Sequence, residues 1–273
     1  SARVILAEYL ACGIDPNKAP IYVQSDVKET LELYLYLNMN TYIGELGRVT
    51  TFKEKARKQP DNVNAGLFTY PTLMAADILQ HRAVKVPVGK DQEQNMEMAR
   101  KCARRFNNIY GVDFFPEPQN FYFNAKAVKV PGLDGSGKMG KSEGNCIYLH
   151  DDDKTITKKV MKAVTDSGPT ELNSEKPQVI ENLFTFLQIC STQDTYDYFN
   201  EQWNNATIRY GELKKQIAQD ICATVAPIRE RITEFSSNKE LLDKIAKQGA
   251  DAARESASAT LKEVRKIIGF RTL

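Results

Sequence analysis

Residues 84–92 read Val84-Lys85-Val86-Pro87-Val88-Gly89-Lys90-Asp91-Gln92, and a helical pattern from Glu93 to Phe106 follows at once. Valine at every second position marks a strand over 84–88. Gly89 ends it, and the polar residues through Gln92 open the helix. A strand that turns through glycine into a helix start leaves free backbone N–H groups and a positive dipole at one sheet edge. In open α/β sheets ligands bind at that edge. Met96, Ala99, Cys102, Ala103 and Phe106 share one face of the helix and should meet the core. Arg100, Lys101, Arg104 and Arg105 form its cationic outer face, either solvated or in contact with a partner.

Upstream, Thr72 to Leu79 is apolar nearly all round, with Pro71 placed in its first turn, so a buried helix is expected. Asp77 is out of place there, because a buried carboxylate is costly without a donor or a cation. Two readings stay open: a bond to neighbouring backbone or a lysine, or an N–H or ammonium supplied by a ligand. Met74 and Tyr70 lie one to two turns earlier near the same side and suit the walls of a flat apolar pocket. Met74 alone equally suits core packing. Further back, Ser1 to Cys12 reads as a helix with Val4, Ile5 and Tyr9 inward and Leu6 and Leu10 as further inward candidates, closed by Gly13 and stopped by Asp15-Pro16. Ile21-Tyr22-Val23-Gln24 reads as a buried strand, with Ser25 and Asp26 capping a helix to about Met39. The rhythm is that of an α/β domain entered partway. The basic run Lys53 to Lys58 suits a solvated helical face, broken at Gln59-Pro60.

Downstream, Phe121 to Asn124 and Val128 to Val130 read as extended. They lead to Val130-Pro131-Gly132-Leu133-Asp134-Gly135-Ser136-Gly137-Lys138-Met139-Gly140-Lys141-Ser142-Glu143-Gly144-Asn145. This glycine-rich stretch holds neither a regular helix nor a central strand and is expected to be a mobile loop. Two lysines on such a loop suit a polyanion whose charge changes during reaction, each being a point charge on a long stem. Composition alone equally allows a solvated linker. Beyond His150 only helices are expected: from about Lys154 behind a run of aspartates, then 178–190, 195–203, 206–235 with Pro227 inside, and 239–268. The expected fold is α/β: a partial Rossmann-like, doubly wound parallel sheet domain over 1–135, a loop and linker over 136–150, and an all-helical domain over 151–273.

The 273 residues are 42% hydrophobic with a net charge of +2, enough for a sizeable core and no general nucleic-acid coat. No run of eighteen apolar residues suggests a membrane span, and the opening residues lack a signal-peptide pattern. Cys12, Cys102, Cys146, Cys190 and Cys222 form no CxxC pair and read as reduced thiols, which fits a cytoplasmic protein. His81 and His150 have no motif partner, so each is expected to be exposed or capping, and no metal site is indicated.

Lys138-Met139-Gly140-Lys141-Ser142 resembles the KMSKS loop of class I aminoacyl-tRNA synthetases, with Gly140 in place of a serine. Gly13-Ile14-Asp15-Pro16, Gln24-Ser25-Asp26, Tyr42-Ile43-Gly44-Glu45-Leu46, Thr69-Tyr70-Pro71, Leu73-Met74-Ala75-Ala76-Asp77-Ile78-Leu79, Val86-Pro87-Val88-Gly89-Lys90-Asp91-Gln92 and Ala163-Val164-Thr165-Asp166-Ser167 resemble, in order, the bacterial tryptophanyl-tRNA synthetases. The resemblance implies ATP-dependent activation of L-tryptophan and its transfer to tRNA(Trp) by a cytoplasmic homodimer using Mg2+. It implies that Asp77 accepts the indole N–H, that Met74, Val86 and Val88 flank the ring, and that Tyr70 and Gln92 hold the ammonium and carboxylate. Gly89, Lys90, Asp91 and Val130 would lie along ATP, with Met139, Gly140 and Ser142 beside the catalytic Lys138 and Lys141 on its phosphates. The helical domain would read the tRNA anticodon, with Lys154–Lys162 and Arg229–Arg231 as candidate basic faces.

Two residues depart from that pattern: Lys90 stands where an acidic residue is usual, and Thr51 where a glutamine is often found near the substrate. The family's opening strand, its HIGH-type element and its Asp-x-His-Ala strand have no counterpart in these residues. The sequence therefore reads as a fragment short of half the ATP pocket, not expected to form adenylate alone. The alternative is an inactive synthetase-like tRNA-binding or regulatory paralogue. A tyrosyl-tRNA synthetase is the nearer rival, and Met74 with Ala75-Ala76-Asp77 fits indole better than phenol.

Overall fold

The computed structural model describes residues 2–122 and 129–271, without the side chains of Lys90 and Ser142. In chain order the regular elements are α1 Ala2–Ala11, α2 Glu29–Met39, α3 Ile43–Leu46, α4 Thr50–Lys58, α5 Ala65–Leu79, β1 Lys85–Pro87, α6 Glu93–Tyr110 and β2 Gln119–Phe121. They continue as α7 Asp153–Met161, α8 Gln178–Cys190, α9 Gln193–Asn204, α10 Tyr210–Ser237 and α11 Lys239–Ile268. Two compact units result. The sheet-bearing unit holds Pro16–Asn124 and Asp243–Leu273, and the helical unit holds Ser1–Asp15 and Ala125–Leu242.

In the sheet-bearing unit β1 and β2 pair in parallel, Lys85 opposite Gln119, Val86 opposite Asn120 and Pro87 opposite Phe121. Parallel neighbours need a crossover, and α6 supplies it. The expected stripe of α6 is its core face: Met96, Ala99, Cys102, Ala103 and Phe106 are buried, joined by Met98. Leu33 and Leu37 of α2, Ala75, Ala76 and Leu79 of α5, and Phe115 complete that core. The helix runs four residues past Phe106 and ends at Gly111, whose φ of 62° is the left-handed conformation that glycine adopts without strain. The outer arginines are engaged within the unit. Arg100 and Arg104 bind Glu97 at 2.9 and 3.0 Å, Arg104 also binds Glu117 at 2.5 Å, and Arg105 binds Glu45 at 2.8 Å.

The segment 21–24 is extended but joins no ladder among the described residues. Val23 has φ −87° and ψ 127°, and a short turn at Gln24–Asp26 follows. Apolar extended residues make a strand only where a neighbour takes their backbone bonds. Here α11 covers the segment instead. An ideal Cβ on Gly249 would lie 2.0 Å from the Ile21 carbonyl oxygen, so only glycine lets this helix approach. Arg254 donates to the Asp26 carbonyl at 2.9 Å, Ser258 to Glu29 at 2.9 Å and Arg265 to Glu32 at 2.6 Å. The helix expected from Ser25 and Asp26 starts later, at Glu29, without a side-chain cap. α5 starts earlier than expected. Asn64 caps it by accepting the Leu67 N–H at 2.9 Å, which leaves Pro71 in the helix interior. The continuation of β2 expected through Phe123 and Asn124, and the extended Val128, lie outside the described residues.

In the helical unit α7, α8 and α10 close on Ile156, Val160, Leu183, Phe184, Leu187, Trp203, Leu213 and Ile217. Asp152 caps α7 through the Thr155 N–H at 2.7 Å, as the aspartate run predicts. α1 belongs to this unit and turns inward Leu6 and Leu10 of the five residues expected there, while the other three face out. Leu6, Ala7, Leu10 and Ala11 are buried, while Val4, Ile5 and Tyr9 are 42%, 49% and 47% exposed. Apolar residues surround α1, so spacing alone does not select a face; packing on α10 does. Gly13 at φ 95° ends the helix, with its N–H on Leu10 and the Ile14 N–H on Tyr9, which satisfies two terminal carbonyls. Arg231 takes the Leu10 carbonyl as well, at 3.1 Å.

Replacing Gly249 by alanine should destabilise the sheet-bearing unit by about 1–3 kcal/mol, since backbone cannot give way cheaply. Urea unfolding followed by circular dichroism measures this, and an unchanged midpoint would show that α11 does not seat on Ile21.

Candidate active site

Asp77 lies on α5, half-buried, among neighbours that are nearly all apolar. Its partner is an amide: Gln24 donates from Nε2 to Asp77 Oδ2 at 2.6 Å. No cation pairs with it among the described residues. Burial pushes the Asp77 carboxyl above its ordinary range, and the Gln24 bond pulls back in the opposite sense. One turn on, His81 bonds the Tyr22 hydroxyl through Nε2 at 3.0 Å and Ser256 of α11 through Nδ1 at 3.2 Å. Burial holds this imidazole below its usual range. His81 is therefore an interior linking residue, where the sequence suggested an exposed or capping one. The Tyr22 phenol is raised by its own burial and then by the Asp77 charge, which places it in the same electrostatic neighbourhood.

Earlier on α5, the Tyr70 hydroxyl bonds that of Thr51, and the Lys55 ammonium sits 4.0 Å from the centre of the Tyr70 ring. Lys55 of the basic run thus has an aromatic partner. Met74 is partly buried against the core, as are Val86 and Val88.

At the end of β1 the chain turns at Gly89. An ideal Cβ there would lie 2.6 Å from Asp91 Oδ1, so a side chain would displace that carboxylate. Gln92 donates to Asp91 at 3.1 Å and accepts from Asn95 Nδ2 at 2.9 Å. Its amide is thereby oriented at the start of α6. The backbone of Lys90 lies in this turn; its expected side-chain contact with ATP lies outside the described residues.

The lysine loop belongs to the helical unit. Met139 packs its side chain against that unit's core, and its N–H donates to the Val130 carbonyl at 3.0 Å. Lys138 and Lys141 are exposed, without a side-chain partner among the described residues. Gly140 has φ −153° and ψ 141°, extended backbone open to any residue, so the glycine there is not required by conformation. Its N–H donates to Asn145 Oδ1 at 2.9 Å. Lys141, Ser142 and Glu143 form a short turn; the Ser142 side chain lies outside the described residues. The resemblance to Ala163-Val164-Thr165-Asp166-Ser167 also acquires a role. The Val164 N–H reaches the Leu133 carbonyl at 3.1 Å, and Lys214 of α10 holds the Ala163 carbonyl at 2.7 Å.

The structure thus groups Asp77, Tyr70, Met74, Val86, Val88, Gly89, Asp91 and Gln92 in the sheet-bearing unit, and Val130 and the lysine loop in the helical one. Sequence reasoning gave no role to Gln24, Tyr22, Ser256 or Asn145. Nothing in the spacing of Gln24 and Asn145 announces a partner 53 residues away or a bond back to Gly140. Of the candidate basic faces, Arg229 is spent on Asp153 at 2.8 Å and Arg231 on the Leu10 carbonyl. Lys159 binds Asp151 at 2.5 Å, whereas Lys154, Lys158 and Lys162 stay exposed.

A family model for class I tRNA synthetases of the tryptophan and tyrosine group matches residues 1–226. A tryptophan--tRNA ligase of Porphyromonas gingivalis is 71% identical over 271 residues, which is 99% of this chain and 83% of that protein. The crystal structure of a tryptophanyl-tRNA synthetase from Campylobacter jejuni complexed with ADP and tryptophan superposes with a TM-score of 0.84 at 34% identity, covering 98% of this chain and 82% of that one. The enzyme from Mycoplasma pneumoniae gives 0.80 at 28% identity, with the same coverage. The chain belongs to the class I aminoacyl-tRNA synthetases for tryptophan and tyrosine, on their tryptophanyl branch.

Replacing Gln24 by alanine removes the one bond among the described residues that favours the charged form of Asp77, so the carboxyl should rise further. NMR titration of the Asp77 carboxyl carbon reads this directly, and an unmoved titration would remove Gln24 from the site.

Proposed function

We propose that this chain supplies the tryptophan site and the phosphate-contacting lysines of a tryptophan--tRNA ligase, whose reaction is ATP-dependent activation of L-tryptophan to tryptophanyl-adenylate, then transfer to tRNA(Trp). The observation that carries the reading is Asp77, a half-buried carboxylate bonded to an amide and to no cation among the described residues. One oxygen is held by Gln24, and the carboxylate retains further lone pairs to accept the N–H of an indole. A site built around such a bond rejects analogues lacking the N–H, because the acceptor would be left unpaired. Met74, Val86 and Val88 flank the ring. Tyr70, fixed by Thr51, and Gln92, fixed by Asp91 and Asn95, hold the ammonium and carboxylate. Thr51 thus acts near the substrate through Tyr70.

Gly89, Lys90, Asp91 and Val130 lie along the nucleotide, and Lys138, Met139, Gly140, Lys141 and Ser142 along its phosphates. The tryptophan carboxylate attacks the α-phosphorus, and pyrophosphate leaves as the bond to the β-phosphate oxygen breaks. Lys138 and Lys141 neutralise the charge that gathers on it. Positioning and electrostatics supply the rate, and no side chain acts as nucleophile. Among the described residues no group of three or more His, Cys, Asp or Glu side chains is arranged to hold a metal ion. Mg2+ would come with the nucleotide and would add to the charge neutralisation that Lys138 and Lys141 give the leaving pyrophosphate.

Further parts of the reading concern assembly and location. The division into a catalytic part over 1–135, a loop over 136–150 and tRNA-reading helices over 151–273 is a division of roles. Lys154, Lys158 and Lys162 of α7 offer the tRNA a basic face. The active form is a homodimer. Leu31, Leu35 and Met39 recur every four residues on the outer side of α2, 62%, 52% and 77% exposed, beside Tyr42 and Ile43 at 67% and 77%. An apolar stripe of that kind suits a second copy. The place of action follows from the tRNA and ATP it would use and is the cytoplasm. Separately, among the described residues no helix is long and apolar enough to cross a membrane.

Asp77→Ala should weaken tryptophan binding about tenfold or more, because the indole N–H loses its acceptor on leaving water. The fold should be kept, since the charge removed is one that burial disfavours. Calorimetric titration with tryptophan, alongside thermal melts, reads both. Undiminished affinity would remove Asp77 from the pocket, and absence of tryptophan binding by the parent protein would favour an inactive synthetase-like paralogue.

A further inference from the structure

The loop that carries Lys138 and Lys141 is held by a knot of polar side chains that lie outside the lysine motif. Asn145 is its centre, 7% exposed. Its Nδ2 reaches Asp134 Oδ1 at 3.0 Å, Ser136 Oγ at 2.9 Å and the Lys138 carbonyl at 3.1 Å. Its Oδ1 accepts the Gly140 N–H at 2.9 Å. Asp134 Oδ1 also takes the N–H and hydroxyl of Ser136, at 3.0 and 2.6 Å. These bonds draw the Asp134 carboxyl below its ordinary range, the Ser136 hydroxyl first, then the Asn145 amide. From α8, Asn182, itself 4% exposed, donates to the Gly135 and Ser136 carbonyls at 3.0 and 3.2 Å. Gly132 gives the knot its room. An ideal Cβ there would lie 2.2 Å from Asn145 Nδ2, 2.4 Å from Asp134 Oδ1 and 2.5 Å from Ser136 Oγ.

The consequence falls on the lysines. The Lys138 carbonyl and the Gly140 N–H are both tied to one buried amide, with only Met139 between them, and Met139 is itself seated in the core. The backbone is fixed while both ammonium groups stay without a partner among the described residues. A glycine-rich loop left free would lose considerable conformational entropy on gripping a polyphosphate. One already knotted loses less.

We propose that Asn145, Asp134 and Ser136 are positioning residues that hold the backbone around Lys138 and Gly140 in the arrangement that presents Lys138 and Lys141 to the nucleotide's phosphates. This rests on the reading of those lysines as phosphate contacts. The experiment uses the full-length enzyme with Asn145→Ala, and Ser136→Ala as a second variant that loses only a hydroxyl. Two readouts are taken: amide hydrogen exchange at Ser136 and Gly140, and ATP–pyrophosphate exchange with kcat and both KM values. Expected for Asn145→Ala is exchange at Gly140 faster by about tenfold or more. With it should come a kcat lower by about tenfold or more and a KM for tryptophan within about twofold of the parent. Ser136→Ala should move the same quantities in the same direction, and it carries the test if Asn145→Ala does not fold. Unchanged Gly140 protection overturns the proposal, as does released protection with an unchanged kcat. Lys138→Ala separates the two layers: an unaltered kcat there defeats the phosphate reading of the lysines, while the exchange data still judge the knot.

Discussion

A carboxylate inside an apolar helix has to be answered, and here the answer is an amide. Had a lysine met Asp77, the pair would have closed on itself and left nothing for a ligand. Gln24 supplies a hydrogen bond without a countercharge, so the carboxylate stays only partly compensated. Burial works against its charge and the amide works for it. That balance keeps an acceptor available at the cost of some folded-state stability. The surrounding residues make the arrangement durable: Tyr22, His81 and Ser256 link the end of α5 to α11 through hydrogen bonds that involve no full charge.

The same economy of charge appears in the loop. Its cations have no side-chain partner among the described residues, and its order comes from neutral amides, a hydroxyl and the Asp134 carboxylate. On α6 and α10 the opposite holds: Arg100, Arg104, Arg105 and Arg229 are consumed by carboxylates of their own unit. Cationic side chains along a helix are therefore a poor guide to where a polyanion binds. The cations whose partners are missing say more than those that are merely numerous.

What could be read in advance followed from periodicity and turn chemistry. The buried stripe of α6, the glycine turn after β1, the limits of α8 and α11 and the anomaly of Asp77 all stand in the sequence, because each is a local pattern. The α/β class with a helical part was legible for the same reason. The misreadings share one cause. Residues 21–24 have strand composition, but a strand needs a neighbour, and the contact there is a helix made possible by Gly249, more than two hundred residues later. The inward face of α1 is chosen by α10, and the start of α5 by Asn64, whose capping role competes with turn roles in any sequence. Gln24 and Asn145 were hidden for the reason that makes them effective: an amide pairs with almost anything, so its type announces no partner.

The reach of α11 has one more implication. It seats on Ile21, bonds the Asp26 carbonyl through Arg254 and touches His81 through Ser256, all within a few residues of Gln24 or Asp77. The final thirty-odd residues thus serve as a back wall to the cluster assembled near the other end of the chain. Shaving them away would loosen the Tyr22, Gln24, Asp77 and His81 cluster first, with none of those four side chains altered.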